Sequence, residues 1–232
     1  MTPSLRTGIV MAVILIFSPL LAPADPPATQ PSPPPRIIEE FSDEKIGTFP
    51  ASFKTFPFQR RKAASVYAVS EEAGNRFLRA EVRGKTQQIA TQVFKNFYWD
   101  LPRWPRLTWR WRAQALPTAA RGVPRRDDNA CAVYVVFGGY GGKALKYAWS
   151  TDLPRGRVIE DRPQEFYVII TESGRKNLGH WQTVTLNILE EYRRFFKSDP
   201  SKNPSGIGLL TDGDGRKSPA VCDYDDFEIS GP

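Results

Sequence analysis

Apolar and polar residues alternate in short runs along most of this chain. The runs are rich in Val, Ile, Tyr, Phe, Trp and Thr, and clusters of Gly, Pro and Asp separate them, the pattern of strands joined by turns. They fall at Arg36–Phe41, Ala63–Ser70, Arg76–Arg83, Ile89–Phe94, Arg106–Gln114, Asn129–Gly138, Leu145–Ser150, Glu165–Glu172, His180–Leu186, Gly206–Asp212 and Ala220–Ile229. So many short strands at this spacing predict an all-β fold, an antiparallel, jelly-roll-like β-sandwich. One segment departs from period two. In Ile188–Lys197 the apolar positions are Ile188, Leu189, Tyr192, Phe195 and Phe196, with Glu190, Glu191, Arg193 and Arg194 between them. Spacings of three and four predict one amphipathic helix of about three turns, packed on the sandwich.

Pleat alternation assigns side chains to faces. In Arg106–Gln114, Leu107, Trp109, Trp111 and Ala113 point one way, and Thr108, Arg110 and Arg112 the other. In the next strand Cys131, Val133, Val135 and Phe137 form an apolar face opposite Ala130, Ala132, Tyr134 and Val136. In Glu165–Glu172, Phe166, Val168 and Ile170 oppose Tyr167, Ile169 and Thr171. Each central strand therefore has one buried face and a second that mixes aromatic, small and basic residues. That second face is either covered by loops or binds something. Arg110, Arg112, Tyr134, Tyr167 and Trp181 are its expected binding residues, since rings stack on sugars and guanidinium forks take carboxylates or sulfates. The same arginines would otherwise lie over a neighbouring element and pair with Glu190 or Asp residues.

The start of the chain bounds where this sandwich works. Arg6 precedes an apolar run from Ile9 to Phe17, and small residues stand at Ala22 and Ala24. A run shorter than the ~20 residues of a spanning helix, with a small-residue cleavage site, reads as a signal peptide over residues 1–24. Asp25–Pro35 is proline-rich, so residues 25–36 are expected to form an extended linker without a packed core. Residues 37–232 then make a single domain. The expected location is periplasmic or secreted, with no stable membrane span after cleavage.

Charge refines the partner. The chain has 32 Lys and Arg against 25 Asp and Glu, a net charge of +7. Arg103, Arg106, Arg110, Arg112, Arg121, Arg125 and Arg126 crowd into residues 101–126, which contain no acid. Outside the cytoplasm the polyanions available to such a surface are acidic glycans and lipid headgroups, not nucleic acid.

Few motifs carry chemistry. Cys131 and Cys222 are the only cysteines; an oxidising compartment permits a disulfide between them, and two buried thiols are the alternative. Asp212 and Asp214, in Thr211–Gly215, can direct oxygen ligands at a structural Ca²⁺. The same Asp-Gly pairs also make an ordinary hairpin turn. Otherwise no cofactor is implied. Asp127 and Asp128 form a polar pair at a strand mouth, and Asp225-Asp226 another; paired carboxylates run glycoside hydrolysis when they face each other across a cleft. The chain has no Gly-x-Ser-x-Gly elbow and one histidine, His180, so acyl-transfer machinery is not in view. Gly138–Gly142 follows a strand and leads into another, a flexible hairpin rather than a phosphate loop.

At Asp127–Phe137 the chain resembles the bacterial domain-of-unknown-function family 3047. Leu107–Arg112, Leu145–Trp149, Gly179–Trp181, Tyr192–Phe196, Gly208–Gly215 and Ala220–Ile229 carry the same likeness. It departs at Ala132 and near Thr185, where relatives tend to have Arg, and at Gly215-Arg216, where they have Asn-Thr; a site lined by those residues in relatives is altered here. The resemblance implies an exported β-sandwich similar in outline to jelly-roll carbohydrate-binding modules, with no assigned reaction. Fold and charge together lead to a non-catalytic exported protein that binds a glycan or other anionic envelope component through its Arg/aromatic face. A carbohydrate-active enzyme using an Asp pair, and a structural or protein-interaction module, are the alternatives.

Overall fold

The computed structural model describes residues 32–55, 58–83, 91–94 (backbone only), 97–118, 129–138, 142–213 and 218–232. The expected signal peptide, linker residues 25–31, Asp127, Asp128, Asp214, Arg121, Arg125 and Arg126 lie outside these residues.

The chain runs through β1 (Arg36–Glu39), β2 (Phe53–Thr55), the one-turn helix α1 (Arg60–Ala64), β3 (Tyr67–Glu72), β4 (Asn75–Val82) and β5 (Thr91–Phe94). It continues with β6 (Arg106–Ala115), β7 (Cys131–Phe137), β8 (Lys143–Ser150), β9 (Val158–Arg162) and β10 (Phe166–Ser173). The remainder is β11 (Gln182–Asn187), α2 (Ile188–Phe196), β12 (Pro204–Leu210) and β13 (Ala220–Ser230). Among the described residues the strands form two sheets. Sheet A has the order β11-β6-β13-β4-β3, with β1 also paired to β13, and sheet B the order β2-β5-β12-β7-β8-β10-β9. This is an all-β sandwich, as the alternation predicts.

The side chains between the sheets are those the pleat assigns inward on β6 and β7. Leu107, Trp109, Trp111 and Ala113 of β6 and Cys131, Val133 and Val135 of β7 are fully buried. Trp109 packs on Tyr147 of β8 at 5.8 Å between ring centroids, and Trp111 on Trp149 at 6.2 Å. Burying side chains of this size stabilises the fold by roughly 2–3 kcal/mol each. A disulfide joins Cys131 of sheet B to Cys222 of sheet A, with 5.4 Å between Cα atoms. Beside it Tyr224 of β13 spans the layers: its hydroxyl donates to Leu210 O at 2.7 Å and accepts from Ala132 N–H at 3.1 Å.

Helix α2 closes one end of the core on the way from sheet A to sheet B. The Asn187 side chain caps its start by accepting from Glu190 N–H at 3.2 Å, and Lys197 ends it in the left-handed conformation, the usual terminal geometry. Its stripe of Ile188, Tyr192 and Phe196 is buried, with Tyr192 4.6 Å from Phe137 and 4.5 Å from Phe196.

Several local expectations differ. Residues Arg60–Ala64 are helical, so the strand expected from Ala63 begins at Tyr67. Strand β9, charged at three of five positions in Val158–Arg162, was hidden by its acids and lies at the sheet edge. It turns back through Gln164 (φ 57°) so that β10 enters the sheet parallel to β8. Sheet B is therefore mixed rather than wholly antiparallel. At the N-terminal side, Ser32–Pro35 lack regular structure, yet Trp104 Nε1–H donates to Pro34 O at 3.1 Å; the last part of the expected linker is held against the domain.

Candidate functional site

The five expected binding residues do not share one face. The structure brings Arg110, Arg112 and Trp181 together on the outer face of sheet A. Tyr134 stands on the outer face of sheet B, and Tyr167 points inward. The correction follows from β10. Both of its faces are apolar, so alternation alone does not say which one is outward; in the fold Phe166, Val168 and Ile170 face out beside Tyr134, while Tyr167 packs against Phe195 and Phe196 of α2 at 5.2 and 5.4 Å. The Tyr167 hydroxyl donates to Glu160 at 2.8 Å, which raises its own pKa and helps hold that of Glu160 down, after the Gln164 N–H that bonds the same carboxylate.

The outer face of sheet A is an ion-pair lattice. Asp223 of β13, fully buried, lies between β4 and β6 in register with Arg79 and Arg112. It accepts from Arg79 Nε at 2.7 Å and Nη2 at 3.0 Å, from Arg112 Nε at 2.9 Å and from Gln114 Nε2 at 3.1 Å. Arg112 also pairs with Glu72 at 2.6 Å, and Arg110 with Asp225 and Asp226. A buried carboxylate is tolerated because its lone pairs are filled by charged donors. Burial pushes the Asp225 carboxyl up to about 6 in spite of the Asn75 amide bonded to it, and the adjacent Asp226 charge adds to the rise. The Trp181 ring is occupied by the same groups: Arg112 Cζ is 4.7 Å and Arg110 Cζ 5.2 Å from its centroid, and Phe77 meets it edge-on at 5.5 Å. Beside Arg110 a cleft of about 290 Å³ is lined by Glu40, Asp226 and Glu228. Arg79, Arg110 and Arg112 thus meet Glu72, Asp223, Asp225 and Asp226, and the expected anion-binding arginines are spent on the protein's own acids. Pairing with Asp residues is the alternative expected for them; among the described residues their carboxylate partners are Glu72 and these aspartates, not Glu190.

The outer face of sheet B is built differently. Register places Gly206, Val136, Ala144 and Phe166 in one row, Gly208, Tyr134, Lys146, Val168 and Ile159 in the next, and Leu210, Ala132, Ala148 and Ile170 in a third. The Tyr134 and Phe166 rings are half-buried and nearly parallel (11°), with centroids 6.0 Å apart. Around them Ala132, Ala148, Val168, Ile170 and Leu210 are buried although they face away from the main core. Among the described residues, the one apolar side chain packed there from outside the strands is Leu153. Gly206, Gly208, Ala132, Ala144 and Ala148 are the small positions of these rows. Lys146 is 4 % exposed, its Nζ 5.7 Å from the Tyr134 ring, and Arg162 Cζ lies 5.7 Å from that of Phe166.

A family model described as "Protein of unknown function (DUF3047)" matches residues 51–228. The chain belongs to this family. The DUF3047 match spans strands of both sheets and both cysteines. No curated protein matches the chain. Among solved structures the chain is similar to the family 11 carbohydrate-binding module of the cellulosomal cellulase Lic26A-Cel5E of Clostridium thermocellum, at 10% identity and TM-score 0.44 over 86% of this chain and 95% of that one. The Clostridium thermocellum family 11 module in complex with a β-1,3-1,4-mixed-linked tetrasaccharide gives 10% identity and 0.42 over 85% and 95%. The mannan-recognising carbohydrate-binding module TmCBM27 gives 12% and 0.36 over 86% and 99%. These are distant likenesses in outline, and function has to come from this chain's own side chains.

The remaining expected sites of the DUF3047 domain are placed as follows. Asp212 is buried, and its N–H donates to Asn129 O at 2.9 Å. Gly213 and Ser218 lie close together: a Cβ on Gly213 would stand 2.2 Å from Ser218 O, and Ser218 N–H donates to Gly213 O at 3.1 Å. Among the described residues no three His, Cys, Asp or Glu side chains converge on a point that could hold a metal ion, and no helix is long and apolar enough to cross a membrane. Asp225 and Asp226 are neighbours on one strand, both bound to Arg110. His180 is exposed, its Nδ1 3.0 Å from Leu178 O. Phe166 and Lys146 were missed. Their partnership with Tyr134 exists only in the β7-β8-β10 register, which no local pattern displays.

Proposed function

We propose that this domain is a non-catalytic glycan-binding module of an exported protein, holding a polysaccharide on the outer face of sheet B. The observation that supports it is the Tyr134–Phe166 pair, half-exposed over glycine and alanine. Aromatic rings take the C–H faces of sugar rings, and a floor of small residues lets a broad chain approach the strands. The Arg110, Arg112 and Trp181 face is the weaker surface for a ligand, because an incoming anion would compete with Asp223, Asp225 and Asp226. The inter-sheet disulfide supports the exported location, since such bonds persist in oxidising compartments.

Glycan arrays probed with wild type and with Tyr134→Ala/Phe166→Ala test the reading. Wild type is expected to bind a polysaccharide class and the double variant to lose it while keeping the wild-type melting temperature within a few degrees. Binding by both proteins alike would refute it.

A further inference from the structure

A second pocket, of about 290 Å³, opens at the β7–β8 end of the sandwich, lined among others by Lys143, Tyr192, Ser198, Asp199, Ser201 and Lys202. It matches the cleft beside Arg110 in size and opposes it in charge. Among the described residues that line it, the acid is Asp199, which is taken by Arg193 at 2.6 Å. Among the described residues neither Lys143 nor Lys202 has a carboxylate partner. Lys143 is instead held by the rings of α2, with Nζ 4.8 Å from the Phe196 centroid and 5.5 Å from that of Tyr192. A cation–π contact fixes an ammonium in place without cancelling its charge. The serine hydroxyls add donors, although Ser198 spends its own on Phe196 O at 3.3 Å.

The pocket lies at the strand ends of sheet B, one rung beyond the proposed glycan face. Lys143 pairs with Phe137 in the β7–β8 register, next to the Ala144–Val136 rung of the row that carries Phe166, and its side chain stands on the opposite side of the sheet from that row. We infer that this pocket takes the acidic group of a saccharide, a carboxylate or a sulfate, so that the polysaccharide held by the domain is an acidic one; this rests on the sheet B reading above. The basic excess of the chain acts through these lysines rather than through the arginines of β6.

Titration calorimetry on the full chain tests it with three probes: a neutral β-glucan oligosaccharide, an oligogalacturonate and a sulfated oligosaccharide. Wild type is expected to favour one of the acidic probes over the neutral one by about tenfold, with the preference shrinking as salt rises. Which acidic probe wins tells carboxylate from sulfate. Lys143→Gln/Lys202→Gln is expected to abolish the preference and leave the neutral affinity unchanged. Lys202→Gln alone, at an exposed position, should remove part of it with no effect on folding. Equal affinity for neutral and acidic probes in wild type, or an acidic preference that survives the double variant, overturns the pocket's role. In either case a loss of binding in Tyr134→Ala leaves the sheet B reading standing. Affinity for the acidic probe that falls in the lysine variant but is unchanged in Tyr134→Ala sinks the sheet B reading instead, and no binding to any probe sinks both.

Discussion

On the outer face of sheet A, Arg79, Arg110 and Arg112 each meet a carboxylate, and Trp181 carries two guanidinium groups over its ring. On the outer face of sheet B, Tyr134 and Phe166 stand half-exposed over glycine and alanine. Both faces mix aromatic and basic residues along alternate positions of their central strands. What separates them is the neighbouring strand. β13 brings Asp223 and Asp225 between β6 and β4, so its charges are internal to the sheet. β12 brings Gly206 and Gly208 beside β7, so nothing from that strand fills the space over Tyr134. Whether such side chains are paired off within the sheet depends on strand order more than on the side chains themselves.

The largest expected effect concerns the tie between the two faces. The Cys131–Cys222 bond closes a loop with a sequence separation of 91. Cys131→Ala/Cys222→Ala should cost about 4–5 kcal/mol by the chain-entropy relation, read from guanidinium denaturation. An unchanged midpoint, or an intact mass that does not move on reduction and alkylation, would break that tie. Next comes the lattice itself. Asp223→Ala leaves Arg79 and Arg112 without their shared partner and should destabilise by about 3 kcal/mol, at the lower end for a broken buried pair because Arg79 is partly exposed. It should not alter glycan binding. Tyr134→Ala is the converse, with affinity down about tenfold and stability lowered by about 1 kcal/mol.

The smallest effect is one of pH. The Asp225 carboxyl is raised from 3.8 to about 6, so between those values the folded chain keeps a proton that the unfolded chain has released. That contribution is complete below the unfolded value and is lost as pH rises through about 6. Asp225→Asn has no such proton to lose. Its stability relative to wild type should therefore improve between about pH 4 and about pH 7 in thermal melts; a relative stability that falls over that range contradicts the assignment.

Much of the scaffold was legible because one face of a strand was plainly polar. Arg110 and Arg112 forced Trp109 and Trp111 inward, and the charges between Ile188 and Phe196 marked α2 with its apolar stripe. The site was less legible for the same reason reversed. In β10 neither face is polar, so Tyr167 was grouped with Tyr134 and Phe166 was passed over. Asp223 carries no local mark that sets it apart from the other acids of Ala220–Ile229. Its burial exists only where Arg79 and Arg112 converge from two other strands. Lys143 and Lys202 are far apart in the chain, and only the fold places both in the lining of one pocket.

The central claim is that sheet B, not sheet A, is the binding face. Titrating one array-positive oligosaccharide into Tyr134→Ala/Phe166→Ala and, in parallel, into Arg110→Ala/Arg112→Ala tests it most directly. The account predicts that the aromatic pair abolishes binding in a folded protein, while the arginine pair lowers stability and leaves affinity within about twofold of wild type. Loss of affinity in the folded arginine variant with retention in the aromatic variant would place the site on the other sheet and contradict the account.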